Sequence, residues 1–335
     1  MNTPVIFLIF NRPKPTKLAF DEIRRARPPK LLIVADGPRR DRPEDVDLCE
    51  QTRAVLRDVD WPCEVLRKFS PENLGCKQNV SQGLDWAFDH VEEAIILEDD
   101  CLPDPTFFRF CEELLDRYRP NEHIAQVCGS NYQQGIRRTS FSYYFSRHAH
   151  IWGWATWRRS WQHNDLSMSA WPQLRDRGWL KQYLGNSKAA FYWRKLFDDS
   201  IKGDRDSLNS WAIPWTFSCW ARGGVSIIPE INLISNIGYS KAGTHTSARS
   251  TGNATPRNYM SFPLKHPAII ETNREADAFT EETFYYGSAF LERCFWAWRL
   301  PFSVSTVRRI RRLTSGFLEA AHRLMRSLKA SKHPK

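Results

Sequence analysis

The sequence is poor in the features that would place it in several common classes. Its eight cysteines, at 49, 63, 76, 101, 111, 128, 219 and 294, include no Cys-x-x-Cys pair, and the nine histidines form no cluster at zinc-ligand spacing. A zinc module and a disulfide scaffold are thereby excluded, and the thiols read as reduced and packed. No run of about 18 apolar residues occurs, so no spanning helix is expected. The chain enters Pro4-Val5-Ile6-Phe7-Leu8 without a basic n-region or a small-residue cleavage site, so its start reads as a buried strand and not a leader. Internal repeats and low-complexity tracts are absent as well. These absences predict a chain that works in a reducing cytoplasm.

Basic residues are in excess, but unevenly. The formal charge is +10, and residues 290–335 hold eleven Lys/Arg against two Glu, or +9, leaving +1 for residues 1–289. The main body therefore lacks the basic surface of a nucleic-acid binder, and none is expected as a partner. Within the tail, Val304, Val307, Ile310, Leu313, Phe317, Leu324 and Leu328 recur at helical intervals among arginines, after Phe295-Trp296-Ala297-Trp298. A basic amphipathic helix of this kind suits the headgroup region of an anionic membrane, which predicts peripheral association with the inner membrane face. Docking on the main body with its cations in solvent is the alternative. Tryptophan is the other surplus, with 14 copies. Indole faces stack on sugars, yet composition alone favours core packing.

Along residues 1–130, short apolar runs at 5–10, 31–35, 64–69, 94–97 and 124–127 alternate with helical segments at 15–25, 43–57, 76–89 and 105–118. That rhythm predicts an α/β fold with a mostly parallel, Rossmann-like sheet flanked by helices. Residues 131–243 are irregular, with strands expected at 142–146 and 225–228, and residues 244–262 have loop composition. We expect a domain over 1–250, divided into a nucleotide half (1–130) and an acceptor half (131–250), followed by a C-terminal helical extension over 251–335.

The run Ala94-Ile95-Ile96-Leu97 stops at Glu98-Asp99-Asp100, three carboxylates at a strand end. Ligands of open α/β sheets bind beyond the carboxyl ends of strands, and a hard cation such as Mn²⁺ or Mg²⁺ needs only one or two carboxylates besides substrate phosphates. A solvated acidic turn before a helix is the competing reading. Strand one ends in Asn11-Arg12-Pro13 and strand two in Asp36-Gly37-Pro38-Arg39, types able to meet a base N–H or a phosphate. Asn73-Leu74-Gly75-Cys76-Lys77 leads into a helix whose N-terminus, with Lys77, favours an anion.

These pieces, with 152–161, 210–220 and 236–246, resemble glycosyltransferases of the GT-A fold, specifically bacterial family-2-type sugar transferases and relatives of the N-acetylglucosaminyltransferase I group. The resemblance spans roughly residues 3–250. It implies a nucleoside-diphosphate sugar donor (UDP-sugar favoured), a saccharide or lipid-linked acceptor and inverting transfer. By the same resemblance Asp100 is a metal ligand, Asp36 the base-recognition residue, and Glu98 and Asp99 donor contacts. Gly153 and Trp154 match the glycine loop beside donor and acceptor, and His245 a late ligand to metal or diphosphate. The chain departs from the pattern where the proton acceptor is expected: Asn209 and Ala212 flank Ser210-Trp211, and the nearest acids are Asp204 and Asp206, of which Asp206 is the candidate. That departure leaves open a glycosyltransferase-like binding protein without turnover.

Overall fold

A computed structural model describes residues 1–202, 210–238 and 255–285. Of the first four strands, the three inner ones form where the sequence has apolar runs, because both of their faces are covered, whereas the edge strand over 64–69 mixes charged and apolar residues and is only partly buried. β1 (Val5–Ile9), β2 (Lys30–Ala35), β3 (Glu64–Phe69) and β4 (Glu93–Glu98) are mutually parallel in the order β3-β2-β1-β4. Between them run α1 (Pro13–Ala26), α2 (Glu44–Ala54) and α3 (Gly75–His90). A short β5 (Cys101–Pro103) follows, and then α4 (Pro105–Tyr118), capped by Asp104, whose carboxylate accepts from Thr106 N. Proline at its first position suits the missing donor there. Phe107, Phe110, Cys111 and Leu114 of α4 are buried in the core.

The sheet continues through β8 (Trp154–Trp157), β6 (Ile124–Cys128), β9 (Val225–Pro229) and β7 (Tyr143–Ser146), giving eight strands among the described residues. β8 is antiparallel to both β4 and β6, and β9 is parallel to β6, so β4, β6 and β9 end at one edge. β10 (Ile234–Asn236) pairs antiparallel with β5 outside the main sheet. The middle of the chain adds α5 (Arg158–Trp161), α6 (Trp171–Asp176), α7 (Trp179–Leu184), α8 (Ser187–Lys202) and α9 (Ala212–Ala221). The fold class expected from the sequence is the one found, although two antiparallel strands interrupt the parallel order.

The boundary expected at residue 250 moves. One compact unit runs from Met1 to Phe284, and residues 255–284 are fastened along it. Asn258 N donates to Asn232 O, Met260 N to Thr106 Oγ1 and Ser142 N to Lys265 O. α10 (Arg274–Thr280) then places Asp277 against Ser146 and Arg147. These polar ties carry no periodic apolar signal, which is why composition alone made the segment look separate. The expected basic helix lies outside the described residues, among which no helix is long and apolar enough to cross a membrane.

Candidate functional site

Strand order reverses between β1 and β4: from β1 the chain goes first to β2 on one side and later to β4 on the other. Such a switch point opens a crevice beyond the strand ends. Leu8 lies opposite Glu98 in the register, so the residues after β1 and after β4 emerge together. Arg12, just before α1, turns its guanidinium onto the acids. Nη1 donates to Asp100 Oδ2 at 2.9 Å and Nη2 to Asp99 Oδ1, while Phe10 N donates to Asp99 Oδ2 at 3.2 Å.

Two carboxylates thus meet one guanidinium, and a third, Glu98, lies in their field. Burial, then the charges of Asp100 and Asp99, push the Glu98 carboxyl up to about 8. Burial opposes the Arg12 charge, but Asp99 and Asp100 outweigh it and hold the guanidinium more firmly protonated than usual. The cluster retains a negative excess that a cation would relieve.

The other predicted residues fall around this centre. Lys77 is in the first turn of α3, half-buried, with no carboxylate partner among the described residues, and burial lowers its pKa. Its neighbour Cys76 reports convergence. Burial and then the carboxylates of Glu98, Asp36 and Asp100 push that thiol up to about 12, so the start of α3 lies in the acids' field. Asn11 donates to Asp45 Oδ1 at 2.7 Å, and Asp45 also holds Arg39 through Nε at 2.6 Å. Asp45 is wholly buried on α2 and links the loops after β1 and β2. Sequence reading missed it; an acid on the inward face of a helix is the signal that was available.

Asp36 stands at the end of β2, 5% exposed. Oδ1 accepts from Gly37 N and Leu74 N, and Oδ2 from Gly75 N and Asn73 Nδ2. Four donors match the acceptor capacity of a carboxylate. In this structure Asp36 therefore builds the loop before α3, and its carboxylate is not left open for a base N–H.

Gly153 and Trp154 do not line a crevice. Trp154 is 0% exposed on β8, stacked on Trp211 at 5.6 Å and packed against Trp215 and Trp161 at 5.7 and 6.2 Å. Gly153 has φ of +60°, and a Cβ there would lie 2.5 Å from Ile234 Cδ1. The glycine admits the β10 side chain and turns the chain into β8, so its close approach is to protein and not ligand. Asp206 and His245 lie outside the described residues.

A residue not singled out, Gly238, closes over the acids. A Cβ on it would lie 2.2 Å from Asp100 Oδ2 and 3.0 Å from Arg12 Nη1. Ile237 N donates to Asp100 O at 2.8 Å, which fixes the strap after β10 on the acidic turn. Among the described residues no three His, Cys, Asp or Glu side chains form a set that by itself could hold a metal ion. Among the described residues Asp100 Oδ1 meets only the Cys101 thiol, at 3.7 Å, and could offer an oxygen to a cation that draws its remaining ligands from a phosphate.

No family model and no curated protein matches the sequence. Solved structures give remote likenesses. UDP-glucose pyrophosphorylase complexed with UDP-glucose is 9% identical over 73% of this chain and 96% of its own, with a TM-score of 0.37. A mannosyltransferase from Pyrobaculum calidifontis, in complex with GDP-Man and Mn²⁺, is 13% identical over 66% and 74%, at 0.33. Mouse xyloside xylosyltransferase 1 is 11% identical over 66% and 82%, also at 0.33. Values this low leave function to be read from the site itself.

Proposed function

We propose that the chain is a metal-dependent glycosyltransferase of the GT-A type. It moves a sugar from a nucleoside-diphosphate sugar, UDP-sugar favoured, to a saccharide or lipid-linked acceptor, with inversion. The observation that carries the reading is the placement of three consecutive carboxylates and one guanidinium at the β1/β4 switch point. Their oxygen-only character and negative excess suit Mn²⁺ or Mg²⁺ shared between Asp100 and a diphosphate. A cation bound there supplies charge stabilisation for the departing nucleoside diphosphate.

The chain's own groups do the rest. Arg12 orients Asp99 and Asp100, and Lys77 with the start of α3 offers positive potential to a phosphate. Asp36 and Asp45 stiffen the two loops that would enclose the base, and Asn11 acts through Asp45.

On the same edge, beyond β6 and β9, Asn131, Gln134, Arg137, Glu230, Asn232 and Asn258 line an open cleft. Amide and charged groups of this kind recognise sugar hydroxyls, and we assign the acceptor to it. Asp206 remains the proposed proton acceptor and His245 a proposed ligand to metal or diphosphate. Residues 290–335 are proposed to hold the enzyme on an anionic membrane surface.

Thermal-shift and calorimetric titration with UDP, GDP and their sugars, with and without Mn²⁺, test the reading. Binding that requires Mn²⁺ and is lost in Asp100→Ala supports it; no binding to any of them, with wild type and variant alike, rejects it.

A further inference from the structure

Arg12 and Gly238 together cover the oxygen of Asp100 that a bidentate cation would need. Nη1 of Arg12 lies 2.9 Å from Asp100 Oδ2, and Gly238 packs closely against the same oxygen. The two carboxylates held by Arg12 differ. Asp99 has a side chain 3% exposed and a second donor in Phe10 N, whereas that of Asp100 is 14% exposed. Asp99 is therefore the anchor and Asp100 the exchangeable partner. Arg12 also keeps a donor in reserve: its Nε is buried and has no acceptor among the described residues. A phosphate oxygen is the acceptor that matches a guanidinium best.

We propose, building on the donor site described above, that Arg12 holds the cation's place. Its guanidinium neutralises Asp100 until a nucleoside diphosphate arrives, takes over Nη1, and frees Asp100 for the divalent cation. Without the diphosphate, the cation and the guanidinium compete for one carboxylate, and like charges a few ångströms apart repel. With it, each positive group has its own anion. Metal and nucleotide therefore bind together, each raising the affinity of the other by the same factor. Arg12 stays pinned on Asp99 throughout, so only one half of the fork exchanges.

The test uses the full chain and measures Mn²⁺ binding by electron paramagnetic resonance of free Mn²⁺, with and without UDP or GDP. In wild type, nucleotide is expected to tighten Mn²⁺ binding at least about tenfold. Arg12→Met is expected to tighten Mn²⁺ binding in the absence of nucleotide by at least about tenfold and to bring the ratio towards one. Arg12→Lys, a point charge that cannot fork, falls between them. Circular dichroism and thermal melting establish folding, and if Arg12→Met does not fold, Arg12→Lys and Arg12→Gln are read instead. The proposal is overturned if folded variants bind Mn²⁺ alone no better than wild type, or if wild type binds a nucleotide yet binds Mn²⁺ equally well with and without it. Should neither nucleotide bind in any condition, the donor-site reading fails, while the comparison of Mn²⁺ binding between wild type and variant still decides the role of Arg12.

Discussion

Two regions at the same sheet edge drew attention for opposite reasons, and they behave in opposite ways. At the β1/β4 switch point, three parts of the chain converge: Arg12, the acids at 98–100 and the backbone strap at Gly238. At β8, a glycine between tryptophans looks equally like a binding loop, yet its side chains turn inward. There Trp154, Trp161, Trp211 and Trp215 form one aromatic pack, with Trp161 Nε1 donating to Asp85 and Trp215 Nε1 to Gln126. The difference teaches what each residue type can signal. A carboxylate at the end of a buried strand has few satisfactory environments, whereas an indole is as content in a core as against a sugar.

The largest effect expected is on stability. Trp154→Ala removes a wholly buried indole and should cost about 3–5 kcal/mol, read as a lower denaturation midpoint with an unchanged reaction in whatever protein remains folded. If instead the midpoint holds and donor affinity collapses, the contrast between the two regions is wrong. Asp100→Ala should do the reverse, keeping the melting temperature within a few degrees while the proposed metal-dependent transfer falls by roughly 10²–10³-fold.

A pH titration sharpens the contrast from the packed side. Burial pushes the His150 imidazole, whose Nδ1 lies 3.0 Å from Ser130 O, down to about 4. The folded state refuses a proton that the unfolded chain accepts below about pH 6.5. Stability from this residue is thus present above pH 6.5 and lost as pH falls towards 4, at no more than about 1.4 kcal/mol per pH unit. Denaturation at pH 7 and 4.5 should show a flatter acid slope in His150→Phe, which keeps the stack on Tyr132. The smallest effect is expected for Gly238→Ala. A methyl group pressed on Asp100 should weaken Mn²⁺-dependent nucleotide binding by roughly tenfold, about 1.4 kcal/mol, with little change in melting. A much larger fall in melting would recast Gly238 as a packing residue.

Legibility followed the length and exclusiveness of each signal. β1, β2, β4 and α4 could be read directly, because a parallel strand covered on both faces is predominantly apolar and Asp104-Pro105 is a strong helix start. β8 could not: four residues are too few for a period, and its place between β4 and β6 is settled by non-local pairing. Asp36 shows a further limit. An acid after a strand looks the same whether it reads a ligand or cages a loop, and here four protein donors make it the cage.

By itself, then, the amino-acid order determined the α/β alternation, the apolar strands and the delivery of Glu98, Asp99 and Asp100 to a strand end, since these follow from local periodicity and from the cost of burying charge. Only the tertiary structure decided that Arg12 grips Asp99 and Asp100, that Gly238 closes over them and that the tryptophans face inward. Those outcomes depend on which distant segments meet, and hydrogen-bond partners separated by some ninety residues leave no trace in local sequence.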